Sequence, residues 1–152
     1  MNISMLTVKR LMISALFFVT ALLMCSSCSR QPSYPSAPQS AQDIIIDTEG
    51  LQPEVPKFYT YHFQGKNISY FLIKIDNKVI SFLDACASCY PHKQGYRCDD
   101  GSVTCRYCGM KFSIFKLERG IGGCYPFKID GSVEQGKYRI SRKTLEDAAN
   151  KF

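Results

Sequence analysis

Apolar and polar positions divide the chain into three stretches with different rhythms. Residues 11–24 are apolar apart from Ser14 and Thr20, with Lys9 and Arg10 before them and Cys25-Ser26-Ser27-Cys28 after. A positive start, an apolar run and a small-residue end describe a secretory signal over residues 1–28. About 14 apolar residues at 1.5 Å each reach ~21 Å, short of the ~30 Å of a bilayer core. A cleaved export signal therefore fits better than a spanning helix, with an uncleaved signal anchor as the alternative. Residues 29–56 lose the pattern and are rich in Ser, Pro and Gln. Such a segment buries little and reads as a semi-extended tether, in which Ile44-Ile45-Ile46 has the makings of a short strand docked on the domain.

From Lys57 onward a period of two takes over. Tyr59, Tyr61 and Phe63 alternate with Thr60 and His62, and residues 69–75 and 79–83 form two further β-rich runs. Asp76-Asn77-Lys78 separates those two runs and suits a tight hairpin. Short runs at 110–115, 127–129 and 137–141 follow, each bounded by Gly, Asp or Ser. Residues 144–151 place Leu145, Ala148 and Ala149 at helical spacing, with Ser141 and Thr144 as possible caps. The expectation is a mainly β domain over 57–152 that ends in a short helix.

Charge narrows the function without choosing it. Of the net +6, Lys9 and Arg10 supply two and leave with a cleaved signal. The rest is spread over the domain with no dense basic run, which argues against nucleic acid as a partner. No Ser/His/Asp set, phosphate loop or suitably spaced pair of acids is present, so an independent enzyme is not expected.

The eight cysteines carry the chemistry. Cys25 and Cys28 close the apolar run, where bacterial lipoproteins are cut and acylated. Cys28, with small Ser27 before it, is the better lipidation candidate; Cys25, with Leu22 three residues back, is the alternative. An ordinary cleaved signal with two incidental thiols is also open. Acylation would place the domain outside the cytoplasm, on the periplasmic or outer face of a membrane.

Cys86-x-x-Cys89 and Cys105-x-x-Cys108 form two pairs of the kind that point both sulfurs at one ion from a tight turn. Two such turns make a closed sulfur cage, for zinc or for an iron–sulfur cluster. A structural disulfide framework suits an exported chain, but pairs only two residues apart crosslink little. A redox-active dithiol wants one pair at a helix start in a βαβ setting, which is absent here. Lys9-Arg10 is no twin-arginine signal, so export would be in the unfolded state; that favours zinc, acquired outside.

The iron–sulfur reading draws on a resemblance. Asp84-Ala85-Cys86-Ala87-Ser88-Cys89-Tyr90, Gly95-Tyr96, Cys105-Arg106-Tyr107-Cys108-Gly109 with Phe112, and Ile121-Gly122-Gly123-Cys124-Tyr125-Pro126 resemble the FtrD-like family of membrane-associated iron–sulfur proteins. The likeness extends over about 59–152 and includes Tyr138-Arg139-Ile140, Leu145 and Phe152. It implies association with iron-uptake permeases or a redox partner, and a role in electron transfer or iron handling. A more distant similarity, to Rieske-type ferredoxins, lies in Leu83-Asp84-Ala85-Cys86 and Cys108-Gly109 with Phe112, cysteines standing where histidines would. Together these imply a Rieske-like or rubredoxin-like fold with Cys86, Cys89, Cys105 and Cys108 as ligands.

By the Rieske analogy, Cys98 and Cys124 would clamp the loops as a disulfide; otherwise Cys124 is a fifth sulfur beside the metal. His92 is a candidate extra ligand or a plain surface histidine. Gly120, Gly122 and Gly123 would let backbone N–H groups approach the sulfurs. Tyr90, Tyr107 and Tyr125 would shield the site or pack in the core.

Overall fold

The computed structural model describes Arg10 and residues 31–152. Among the described residues, ten strands form three antiparallel sheets. The central one has order β2 (Lys57–Phe63), β3 (Lys66–Ile75), β4 (Lys78–Cys86), β8 (Pro126–Ile129). On one side lies β1 (Asp43–Asp47), β10 (Lys137–Ser141), β9 (Ser132–Glu134), followed by the helix Arg142–Asp147. On the other lies β5 (Tyr96–Asp99), β6 (Ser102–Cys105), β7 (Lys111–Ser113). The domain is mainly β with a terminal helix, as the alternation of apolar residues indicates.

Strand parity assigns the two faces of the central sheet, because successive side chains point to opposite sides. Tyr59, Tyr61, Ile68, Tyr70, Leu72, Leu83 and Ala85 join a core with Ile44, Ile46, Tyr138, Ile140 and Leu145. Phe71, Ile73, Phe82 and Cys86 join a second core with Tyr96, Val103, Cys105 and Phe112. With both faces covered, β3 is buried without a break from Ile68 to Leu72 and on to Ile73. Three layers result, and Cys86 belongs to the face that meets the small sheet.

Two-residue turns with both residues at positive φ join consecutive strands, the hairpin type whose twist matches the strands. Asp76 (φ 48°) and Asn77 (φ 61°) connect β3 to β4 at the position the sequence marks for a turn. Asp100-Gly101 does the same between β5 and β6, a hairpin absent from the sequence reading. The run at 110–115 shortens to β7 plus a single 3-10 turn, Ile114–Lys116, and the helix begins at Arg142 rather than 144.

The stretch 29–56, expected as a tether, is different over its described part: residues 31–51 lie on the domain. β1 pairs with β10 in register Ile44↔Ile140 and Ile46↔Tyr138, so the three isoleucines do dock as a strand. Ahead of it, Tyr34 stacks on Phe58 at 4.9 Å and Ala37 is buried. The prolines do not prevent this, because they lose only the N–H. The carbonyl of Pro35 accepts from Thr60 N–H (3.1 Å) and that of Pro38 from Ile45 N–H (2.8 Å). The segment thereby covers part of the β2 edge, which otherwise presents unpaired backbone groups. The signal and lipidation readings, Cys25 and Cys28 included, fall outside the described residues.

Candidate metal centre

Three strand ends supply the sulfurs. Cys86 is the last residue of β4 and Cys105 the last of β6, and each opens a tight turn. Cys89 N–H bonds back to the Cys86 carbonyl (3.1 Å), and Gly109 N–H to the Cys105 carbonyl (3.0 Å). Cys124 stands two residues before Pro126, which pairs with Cys86 at the start of β8. Pairing in the central sheet thus delivers Cys124 to the first Cys-x-x-Cys turn, and Ala87 N–H holds the Tyr125 carbonyl at 2.9 Å.

The result is two sulfur triads. Cys86, Cys89 and Cys124 lie within 4.8 Å of one another, as do Cys89, Cys105 and Cys108. Cys89 belongs to both. Both Cys-x-x-Cys turns therefore converge, and Cys124 adds a fifth sulfur to the four expected. Cys86, Cys89 and Cys105 are buried, Cys124 is half-buried and Cys108 is exposed. All six described cysteines are free, so the Cys98–Cys124 disulfide expected by analogy is not formed. Cys98 sits on exposed β5, outside both triads. Its neighbours Arg97, Asp99 and Asp100 are polar and, like Cys98, exposed.

Donors to the sulfurs come from the turns themselves. The amides of Ser88 and Cys89 favour the thiolate at Cys86, those of Tyr107 and Cys108 do so at Cys105, and that of Met110 does so at Cys108. Burial raises the Cys105 thiol to about 11. For Cys86, burial also raises the pKa, but the Tyr96 hydroxyl and the two amides outweigh it and the net shift is downward. Cys108 likewise ends below the usual thiol value, since Met110 N–H and neighbouring thiols offset its desolvation. The glycines before Cys124 shape its loop. Gly122 (φ 57°) and Gly123 (φ 81°) form a turn closed by two 2.9 Å bonds between Ile121 and Cys124.

A second layer surrounds Cys86. The Tyr96 hydroxyl is buried without a hydrogen-bond partner, and its presence beside Cys86 favours the thiolate there. Asp84, almost fully buried, accepts from Tyr96 N–H and Gln31 Nε2, both at 2.6 Å. Burial pushes its carboxyl up to about 6, against the opposing pull of Gln31, Tyr96 N–H, Arg106 and Tyr34. Gly95 leaves room for this contact: a Cβ there would meet the Asp84 carboxylate oxygens at 2.6 and 2.7 Å. Sequence reading passed over Asp84, Tyr96 and Gln31 as site residues. Asp84 and Tyr96 lie in the family-like segments around Cys86 and Gly95, but nothing linear marks Gln31.

His92 belongs to neither triad. Its ring lies flat on Tyr107 at 3.5 Å on the surface. Tyr90, Tyr107 and Tyr125 are 37%, 49% and 41% exposed, so they frame the sulfur loops and are not core residues.

The donor set fits a metal centre: five soft thiols, three of them buried, gathered in two linked groups. A single tetrahedral ion at the usual ~2.3 Å metal–sulfur distance wants four sulfurs about 3.8 Å apart. The sulfurs here group as two linked threes, an arrangement broader than one such tetrahedron.

Residues 51–152 match the family described as "Membrane iron-sulfur containing protein FtrD-like". Comparison with curated proteins and with solved structures gives no match. Among the described residues, no helix is long and apolar enough to cross a membrane.

Proposed function

The chain belongs to the FtrD-like family of membrane iron–sulfur containing proteins, and from this premise we propose that it is an exported, membrane-anchored iron–sulfur protein that passes electrons or handles iron during iron uptake. The observation that carries the reading is the meeting of both Cys-x-x-Cys turns at shared Cys89. Cys86, Cys89, Cys105 and Cys108 would hold the cluster. An iron–sulfur cluster in such a set supplies one-electron chemistry, at a lower potential than a histidine-ligated Rieske centre.

The chain's own residues support that role. Backbone N–H groups and the Tyr96 hydroxyl stabilise negative charge on sulfur, which tunes a potential. Phe71, Phe82, Val103 and Phe112 exclude water from the inner side, while exposed Cys108 leaves the outer side open to a partner. An iron permease or its redox partner is the proposed neighbour. The anchor is the N-terminal signal region, acylated at Cys28 or, failing that, Cys25.

Zinc remains the second reading, since the Cys89–Cys105–Cys108 triad is compact enough to grip one ion. In that case the domain is a structural interaction module. Anaerobic purification followed by visible absorption and assay of iron, sulfide and zinc separates the two. Colour with matched iron and sulfide is the expected result; colourless protein with one zinc per chain overturns it.

A further inference from the structure

Distance divides the five clustered sulfurs more sharply than sequence does. Cys89 lies within 4.8 Å of each of the other four, but neither Cys86 nor Cys124 comes that close to Cys105 or Cys108. Two thiolates on one ion, each at the usual ~2.3 Å, are at most ~4.6 Å apart even when directly opposite. One ion therefore cannot take a sulfur from each of the pairs Cys86–Cys124 and Cys105–Cys108 in this arrangement. Cys89 alone reaches both.

Cys124 is fixed against the first Cys-x-x-Cys turn by bonds that owe nothing to a metal. Its own turn is closed by reciprocal backbone bonds with Ile121 (2.9 Å each). Ser88 donates its hydroxyl to the Gly123 carbonyl at 2.9 Å, and Ala87 N–H bonds the Tyr125 carbonyl at 2.9 Å. Both donors come from between Cys86 and Cys89, one to each side of Cys124. Gly120, at φ 63°, accommodates the close return of the loop, since a Cβ there would meet the Tyr125 Cβ at 2.9 Å. The fold thus builds a second group of three sulfurs beside the one that Cys105 and Cys108 form with Cys89.

We propose that the centre has two metal positions joined at Cys89: Cys86, Cys89 and Cys124 hold one ion, Cys89, Cys105 and Cys108 hold the other, and the Cys89 thiolate bridges them. This rests on the reading of the site as a metal centre, and goes beyond it in the number of ions and in making Cys124 a ligand. Each ion receives three protein thiolates. A four-coordinate ion then keeps one place for a further ligand, such as inorganic sulfide, whereas a structural cage of four thiolates is closed. An open place on each ion suits a centre that exchanges what it holds.

The test uses the full chain purified without oxygen, as wild type, Cys124→Ala and Cys108→Ala. It removes the two outer sulfurs and spares Cys86, Cys89 and Cys105, which share one buried core beneath both positions and whose loss would open both. Iron, zinc and inorganic sulfide are counted per chain, and iodoacetamide labelling of each cysteine is read by mass spectrometry. Wild type should hold two metal ions, with exposed Cys108 and half-buried Cys124 both protected and exposed Cys98 fully labelled. Cys124→Ala should halve the metal and leave Cys108 protected. Cys108→Ala should also halve it, and leave Cys124 protected. A single ion or four irons in wild type would overturn the proposal. So would a variant that keeps both ions, or one that loses both while its circular dichroism stays that of the folded chain. The wild-type count and labelling decide the matter even where a variant does not fold. Two zinc ions in wild type would refute the iron–sulfur assignment and support the paired positions. Wild type empty of every metal would refute the metal centre itself and this proposal with it.

Discussion

On one face of the central sheet, Tyr59, Tyr61, Tyr70, Leu72 and Leu83 meet β1, β10 and the terminal helix in a core of seventeen buried residues without a cysteine. On the other face, Phe71, Ile73 and Phe82 meet three strands of only four, four and three residues. Three of the eleven buried members of that second core are cysteines. The first face has enough apolar surface to hold itself together. The second is the kind of small unit that usually needs a disulfide or a metal as a staple, and its cysteines are free. Both faces share β3 and β4, yet they should depend on metal to very different degrees.

The largest effect expected from this contrast follows loss of an inner ligand. Cys105→Ser should abolish metal binding and expose the amides of β5, β6 and β7 to hydrogen exchange, while β1 and β10 stay protected. Equal loss of protection in both regions would show that the faces unfold as one. A smaller effect, with the opposite distribution, belongs to Ile140→Ala. Ile140 is fully buried in the first core, and its truncation should cost about 2–5 kcal/mol in chemical denaturation. Metal per folded chain should be unchanged; a fall in metal content would mean that the first core sets the geometry of the sulfurs. The smallest effect is that of Cys98→Ser. With its side chain exposed and outside both triads, the variant should match wild type in metal content, and metal loss there would break the ligand assignment.

Much of this was legible in the chain. Alternation at Tyr59, Tyr61 and Phe63, and the Asp76-Asn77 turn, marked the strands of the central sheet because each side chain's face follows from its parity. The two Cys-x-x-Cys turns were legible for a similar reason, since the spacing itself aims two sulfurs one way. The hairpin of β5 and β6 was not. Arg97, Cys98 and Asp99 are all exposed, so the strand shows no alternation, and only Asp100-Gly101 hinted at a turn. The segment 31–51 was misread because proline content reports missing donors and says nothing about carbonyls that still accept. Gly122-Gly123 announced a turn before Cys124, but the meeting of its sulfur with Cys86 depends on the pairing of β4 with β8, a long-range fact.

The position of Gln31 sets how the molecule can be hung. Its backbone N–H reaches the Lys93 carbonyl at 3.1 Å and its side chain grips Asp84, so the polypeptide enters the domain beside the first sulfur turn. Two residues lie between it and position 28, and three extended steps of chain cover no more than about 11 Å. A lipid carried at position 28 would therefore leave almost no leash: the sulfur-bearing pole would hover within a headgroup's reach of the bilayer, able to meet integral neighbours at the surface and poorly able to roam.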